Sequence, residues 1–206
     1  MRIEVVSDVI CPWCYIGKRR LQKAIALVED GLNAEIRWLP FQLNPNMPKE
    51  GIPRAEYRKA KFGSLERSRA LDARVASEGM SEGIGFAFDS IDRTPNTVAA
   101  HALVGLAQRQ GRADAVIDAL FHAYFEEARD IGDRAVLDDI ARRCGVTGAP
   151  GQDDVKEVTA LEESLRGLGI SAVPTFIFDR KLAVSGAQPP AALAEAMRQA
   201  LGGRAA

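Results

Sequence analysis

The chain has 206 residues, 47% hydrophobic and 27% charged, which suits one globular domain or one domain carrying a large insertion. Its 27 Lys and Arg against 28 Asp and Glu give a formal charge of −1, and neither half is strongly basic, which argues against nucleic-acid binding. No apolar run approaches the roughly 18 residues of a membrane span.

Residues 2–7, "RIEVVS", are rich in β-branched side chains and read as a strand. It begins so early that no secretory signal fits before Cys11, so the protein is expected to be cytoplasmic. "YIGKRRLQKAIALVED" places Leu21, Ile25 and Val28 at helical spacing, with Gly31 as the expected stop. "AEIRWLPF" (34–41) alternates into a second strand. Residues 1–42 therefore predict a β-α-β unit with a right-handed crossover.

From about 53 to 168 the pattern shows no convincing strand. Residues 54–78 read as one long polar helix, with Tyr57, Phe62, Leu65, Leu71 and Val75 facing inward. A Gly-punctuated irregular stretch follows, then helices over 95–109, 112–128, 133–143 and 153–167. Strand character returns in "TFIF" and "LAVS", joined through Asp179–Lys181, and a last helix follows "QPP" to about Leu201. This all-α block between two β-containing ends marks an insertion. The expected division is a first domain of 1–45 plus 165–206 and an inserted helical domain of 46–164.

Two of the three cysteines form "CPWC" at 11–14. In a reducing compartment such a pair reads as catalytic or metal-binding. Zinc usually takes four ligands, and the only other candidates are Cys144, His101 and His122, with no second CxxC; no metal is expected. Where the first strand meets the first helix, Cys11 lies at a helix N-terminus, whose unpaired N–H groups and dipole favour the reactive thiolate. Cys14, one turn deeper, can resolve a mixed disulfide formed on Cys11. Pro12 suits the first helical turn. Trp13 offers a flat apolar surface but no positive charge, so a less oxidising couple than a CxHC centre is expected. Pro174 opens the "TFIF" strand, where a cis X-Pro bond would leave the backbone of Val173 to pair with an extended substrate.

"SDVICPWCYIGK" at 7–18, "RTPNT" at 93–97 with "AH" at 100–101, "DIGD" at 130–133 and "VPTFIF…SGAQPP" at 173–190 occur in this order along the chain. Together they resemble the DsbA family of thioredoxin-fold oxidoreductases, in its FrnE-like branch. The resemblance implies an α/β thioredoxin fold with a large all-α insertion, which would account for the 163 residues from Cys11 to Pro174. It makes Cys11 the nucleophile, Cys14 the resolving cysteine, Pro174 the cis-proline and Val173 a specificity position. It also turns the helix carrying Asn96 and His101 toward the site, so both are candidate cleft-lining residues. Ser171-Ala172 departs from the Gly-containing pair common in related chains.

The function expected is thiol–disulfide exchange on a protein or small-molecule disulfide, with no bound cofactor and with glutathione or another thiol as electron donor. The alternatives are a glutathione-dependent isomerase or transferase, resembling 2-hydroxychromene-2-carboxylate isomerases and kappa-type glutathione transferases, and a chaperone-like binding module. Those isomerases and transferases commonly carry Ser where Cys11 stands, so two retained cysteines favour redox chemistry. Residues 18–20, "KRR", read as a solvated helix face that could instead attract an acidic substrate. The Arg/Lys-rich stretch 54–74, interleaved with Glu56, Glu66 and Asp72, reads as a salt-bridged surface. His122 reads as structural within an apolar run, and Cys144 as an inert, partly buried thiol. Asp8 either tunes the dithiol or ends the first strand.

Overall fold

The structure, a computed structural model, describes residues 1–28 and 33–202. Strands β1 (Arg2–Ser7) and β2 (Glu35–Pro40) pair in parallel with Val5 opposite Trp38. A parallel pair needs a crossover connection, supplied by α1 (Pro12–Leu27). Strand β5 (Thr175–Phe178) runs antiparallel beside β1, and β6 (Leu182–Ser185) antiparallel beside β5, giving the order β2-β1-β5-β6. The last two strands turn at Asp179 and Arg180, both with positive φ (49° and 57°), which matches the twist of a tight hairpin. The Asp179 carboxylate accepts the Arg2 N–H at 2.7 Å and ties that turn to β1. Helix α1 ends at Leu27; Gly31, its expected stop, lies outside the described residues.

Two corrections arise after β2. A two-residue ladder joins β3 (Ile52–Pro53) to β4 (Arg93–Thr94) inside the region expected to lack strands. Such a ladder is too short to show alternation. The helix expected over 54–78 is two, α2 (Arg54–Phe62) and α3 (Leu65–Ser81). Gly63 sits between them at φ +86°, a conformation open to glycine, and the Ser64 hydroxyl accepts the Arg67 N–H at 3.1 Å to cap α3. Leu65, expected to face inward, is exposed because it begins this new helix.

The remaining helices are α4 (Val98–Arg109), α5 (Ala113–Phe125), α6 (Arg134–Arg143), α7 (Gln152–Gly167) and α8 (Pro190–Ala200). Ile3, Val5, Trp38, Phe176 and Phe178 share one continuous core with Leu21 of α1, Leu193 of α8 and Phe121 of α5. On the other sheet face Val6 and Leu39 pack with Phe41 and Leu165. The expected domain boundary at 164/165 falls inside α7. That helix also sends Glu162 back to Gln42, whose backbone N–H and side-chain amide it accepts at 3.0 and 2.7 Å. The architecture is the expected one: a thioredoxin-type mixed sheet interrupted between β2 and β5 by a large helical block.

Candidate active site

Cys11 is the N-cap of α1, in extended conformation (φ −92°, ψ 113°), and Pro12 follows at the first helical position, where its missing N–H costs nothing. The Cys11 N–H donates to the Asp8 carbonyl at 3.0 Å, and the Cys11 carbonyl accepts from Cys14 at 3.0 Å, which closes the first turn. Both cysteines are thiols and both are buried, Cys14 the more deeply. Burial pushes the Cys14 thiol well above its ordinary value, and the neighbouring Cys11 adds to that shift. A thiol held protonated is a poor first nucleophile. Trp13 is 38% exposed on the outer side of the turn.

The Val173–Pro174 peptide bond is cis. It opens β5, next to β1, and brings the Val173 carbonyl to 3.8 Å from the Cys11 sulfur. The Val173 N–H makes no hydrogen bond among the described residues. The close approach of α1 to this segment rests on Gly17. A Cβ there would stand 2.9 Å from Cγ of Pro174 and 3.1 Å from Cζ of Phe176. This requirement escaped the sequence reading, although a glycine inside an otherwise helical pattern is its visible signal.

Asp8 is fully buried, and its carboxylate accepts the Leu43 N–H at 2.7 Å and lies 3.3 Å from His101 Nε2. It thereby joins the loop before Cys11 to the segment after β2 and to α4. His101 lines a separate pocket with Ser7, Trp38 and Pro40 and not the cleft over Cys11. Asn96 also lies off that cleft: its amide donates to the Met47 carbonyl at 2.7 Å while its carbonyl oxygen caps the start of α4 through Val98 at 3.0 Å. Asn96 and His101, the expected cleft-lining residues, are therefore not among the side chains around Cys11; their polar groups are taken up by Met47, Val98 and Asp8.

A cavity of about 430 Å³ opens over Cys11, Pro12, Trp13 and Val173, roofed by α2 and α3. Arg54, Arg58, Lys61 and Arg74 enter its wall, with Asp72 as the one carboxylate. Asp72 takes both Arg54 (3.3 Å) and Arg58 (2.5 Å). Neither Glu56 nor Glu66 forms an ion pair among the described residues, so the expected salt-bridged surface is only partly one.

The other basic run is not the solvated face expected of it. Lys18 is 1% exposed, its ammonium 2.8 Å from Asp118 and 3.2 Å from Asp114 of α5. Arg20 meets Glu78 on α3 at 2.6 Å and Glu82, just past its end, at 2.8 Å, and Arg19 meets Asp118 at 3.5 Å. His122, expected to be structural, pairs with acidic neighbours on the surface. It is half exposed, 3.1 Å from Glu126, because it lies on the outer face of α5 while its apolar neighbours turn inward. Cys144 is partly buried at the end of α6, and burial raises its thiol. Among the described residues no group of three or more His, Cys, Asp or Glu could hold a metal, and no helix is long and apolar enough to cross a membrane.

The arrangement has clear relatives. A probable DsbA oxidoreductase from Streptomyces coelicolor is 32% identical and superposes with a TM-score of 0.88, over 100% of this chain and 92% of that one. The uncharacterized protein YwbO of Bacillus subtilis (strain 168) is 27% identical over 86% of each chain. The cytosolic disulfide reductase DsbM from Pseudomonas aeruginosa, solved with GSH, shares the fold at 19% identity, with a TM-score of 0.64 over 90% of each chain. The DSBA-like thioredoxin domain matches residues 2–198, nearly the whole sequence. The chain belongs to the DSBA-like thioredoxin domain family.

Proposed function

We propose that the protein is a thiol–disulfide oxidoreductase in which Cys11 is the nucleophile and Cys14 resolves. One observation carries this reading: Cys11 caps α1 at the mouth of the cleft, 3.8 Å from the Val173 carbonyl, while Cys14 sits beneath it with its thiol raised by burial. The two sulfurs are thereby divided into an attacking and a waiting one. In the reducing direction the Cys11 thiolate attacks one sulfur of a substrate disulfide. A Cys11–substrate bond forms, the substrate S–S bond breaks, and one thiolate leaves. Cys14 then loses its proton and displaces the second thiolate. The substrate gains two electrons and the protein closes a Cys11–Cys14 disulfide. The reverse sequence oxidises a substrate dithiol.

Glutathione or another thiol is the electron donor in this proposal, supported by the related fold solved with GSH. A cytoplasmic location is supported by the cytosolic relative and is checked by fractionation. Pro12 and Trp13 shape the approach to Cys11, and Val173 offers its unpaired N–H beside Pro174. The neutral Trp13 makes the couple less oxidising than a CxHC centre; a potential near the roughly −120 mV of the strongest oxidants would contradict this.

The test is reduction of an insulin-type disulfide with dithiothreitol or glutathione as donor. Cys11→Ser abolishes turnover, and Cys14→Ser accumulates mixed disulfides on Cys11. Equal activity of wild type and Cys11→Ser would overturn the mechanism. Isomerase turnover surviving Cys14→Ser would instead favour the glutathione-dependent isomerase. Suppression of aggregation without either cysteine would favour a chaperone-like module.

A further inference from the structure

The cleft over Cys11 combines two properties. Six of the chain's thirteen aromatic side chains line it, with Trp13 from the start of α1 and Tyr57 and Phe62 from α2 among them. Four cations against one carboxylate leave a local charge of 4 − 1 = +3, in a chain whose total is −1. The cations are not equivalent. Arg54 and Arg58 spend their charge on Asp72, and Arg58 is further held by the Ser68 hydroxyl at 2.7 Å. Lys61 lies over the Tyr57 ring at 5.1 Å and donates to its hydroxyl at 2.6 Å, with no carboxylate among the described residues within ion-pair distance. The Arg74 side chain makes no hydrogen bond or ion pair among the described residues, yet it borders the cleft. An aromatic floor with two uncompensated cations fits an apolar body carrying an anion.

We propose that this cleft selects low-molecular-weight disulfides in which the attacked sulfur belongs to an aromatic or apolar group bearing a carboxylate, with Arg74 and Lys61 binding the carboxylate. The inference rests on the redox reading of Cys11 and adds its substrate class. The volume of about 430 Å³ lies within the range of small-molecule sites, and the roof formed by α2 and α3 disfavours a folded polypeptide. When the Cys11 thiolate attacks, the Cys11–substrate S–S bond forms, the substrate S–S bond breaks and the departing sulfur leaves as a thiolate, a step common to charged and neutral disulfides; the two cations act on the carboxylate alone. The two electrons come from the Cys11–Cys14 dithiol, reduced beforehand and freed of dithiothreitol, which would itself reduce both aromatic disulfides, so each measurement is a single turnover of the Cys144→Ser protein.

The experiment compares an anionic and a neutral aromatic disulfide, 5,5′-dithiobis(2-nitrobenzoate) and 4,4′-dithiodipyridine, in wild type, Lys61→Ala with Arg74→Ala, and Arg74→Glu. Both side chains are exposed, so the variants fold. Expected is a fall of about tenfold or more in the second-order rate constant for the anionic disulfide in the double variant, with the neutral one changing less than twofold. The loss deepens in Arg74→Glu, and raised salt reproduces it in wild type. Alkylation of Cys11 in the Cys14→Ser, Cys144→Ser background gives a second reading that needs no turnover. The iodoacetate rate falls with the two cations while the iodoacetamide rate stays level. A charge effect in alkylation without disulfide turnover would sink the redox reading and leave the anion preference standing. Equal losses for anionic and neutral reagents would overturn the proposal. So would insulin being reduced faster than either small disulfide, with a loss in the double variant equal to theirs.

Discussion

Two basic runs flank the dithiol, and in sequence they look alike. Residues 18–20 and 54–74 both carry clustered Lys and Arg on helices. In the fold they have opposite fates. The first is an internal clasp: Lys18 is buried between α1 and α5 on Asp114 and Asp118, and Arg20 bridges α1 to Glu78 on α3 and to Glu82 just after it. The second neutralises only part of itself through Asp72 and leaves Lys61 and Arg74 in the wall of the cleft that Cys11 also lines. A cation's role is set by the carboxylates that distant segments deliver to it. For Lys18 those lie 96 and 100 residues away.

The largest separation between the two runs is expected in stability. Asp114→Asn combined with Asp118→Asn strands the buried Lys18 ammonium, and a loss of about 3–5 kcal/mol follows in urea unfolding. A loss under 1 kcal/mol would mean that Lys18 escapes to water and that the clasp is not internal.

A smaller, oppositely signed pair of effects appears with pH. Burial works against ionisation of Glu82, but hydrogen bonds from Lys23 and Arg20 outweigh it and hold its carboxyl below the usual range. Its folded value is depressed, so its contribution is full above the unfolded value of about 4.3 and is lost as pH falls through the folded one. Burial dominates at Asp72 and holds its carboxyl above the ordinary value despite Arg54 and Arg58. The folded state therefore binds a proton before the unfolded one, and Asp72 adds stability as pH falls from that raised value toward about 3.9. In unfolding titrations from pH 7 to pH 3, Glu82→Gln flattens the acid loss and Asp72→Asn steepens it. Identical changes in both variants would erase the distinction between the two runs.

The smallest effect is expected in the second run itself. Lys61→Ala with Arg74→Ala changes unfolding stability by less than about 0.5 kcal/mol, since both are exposed and bind no carboxylate. A larger loss would make these cations structural rather than substrate-facing.

Much of the fold was legible because its signals are local. β-branched runs bounded by turn residues mark β1, β5 and β6, and glycines mark most helix ends. What escaped was short or long-range. The β3–β4 ladder is too short to carry a period, and the Gly63-Ser64 break was absorbed into one polar helix, although a glycine followed by a capping serine is a local signal. His122 stands among apolar residues in the sequence, yet the helical turn carries it to the exposed face of α5 while Phe121, Tyr124 and Phe125 are buried. The cleft was not legible at all, since its wall is assembled from α1, α2, α3, α5 and the loop before β5.

By itself the sequence determined the thioredoxin-type order of elements, the dithiol at the head of α1 and a proline at the start of an interior strand, because each is a matter of neighbouring residues and backbone preference. Only the tertiary structure decided which sulfur faces the cleft, that α1 packs against Pro174 through Gly17, and which cations remain uncompensated in the cleft wall. Those properties depend on desolvation and on partners brought from far along the chain, and they exist only once the core has closed.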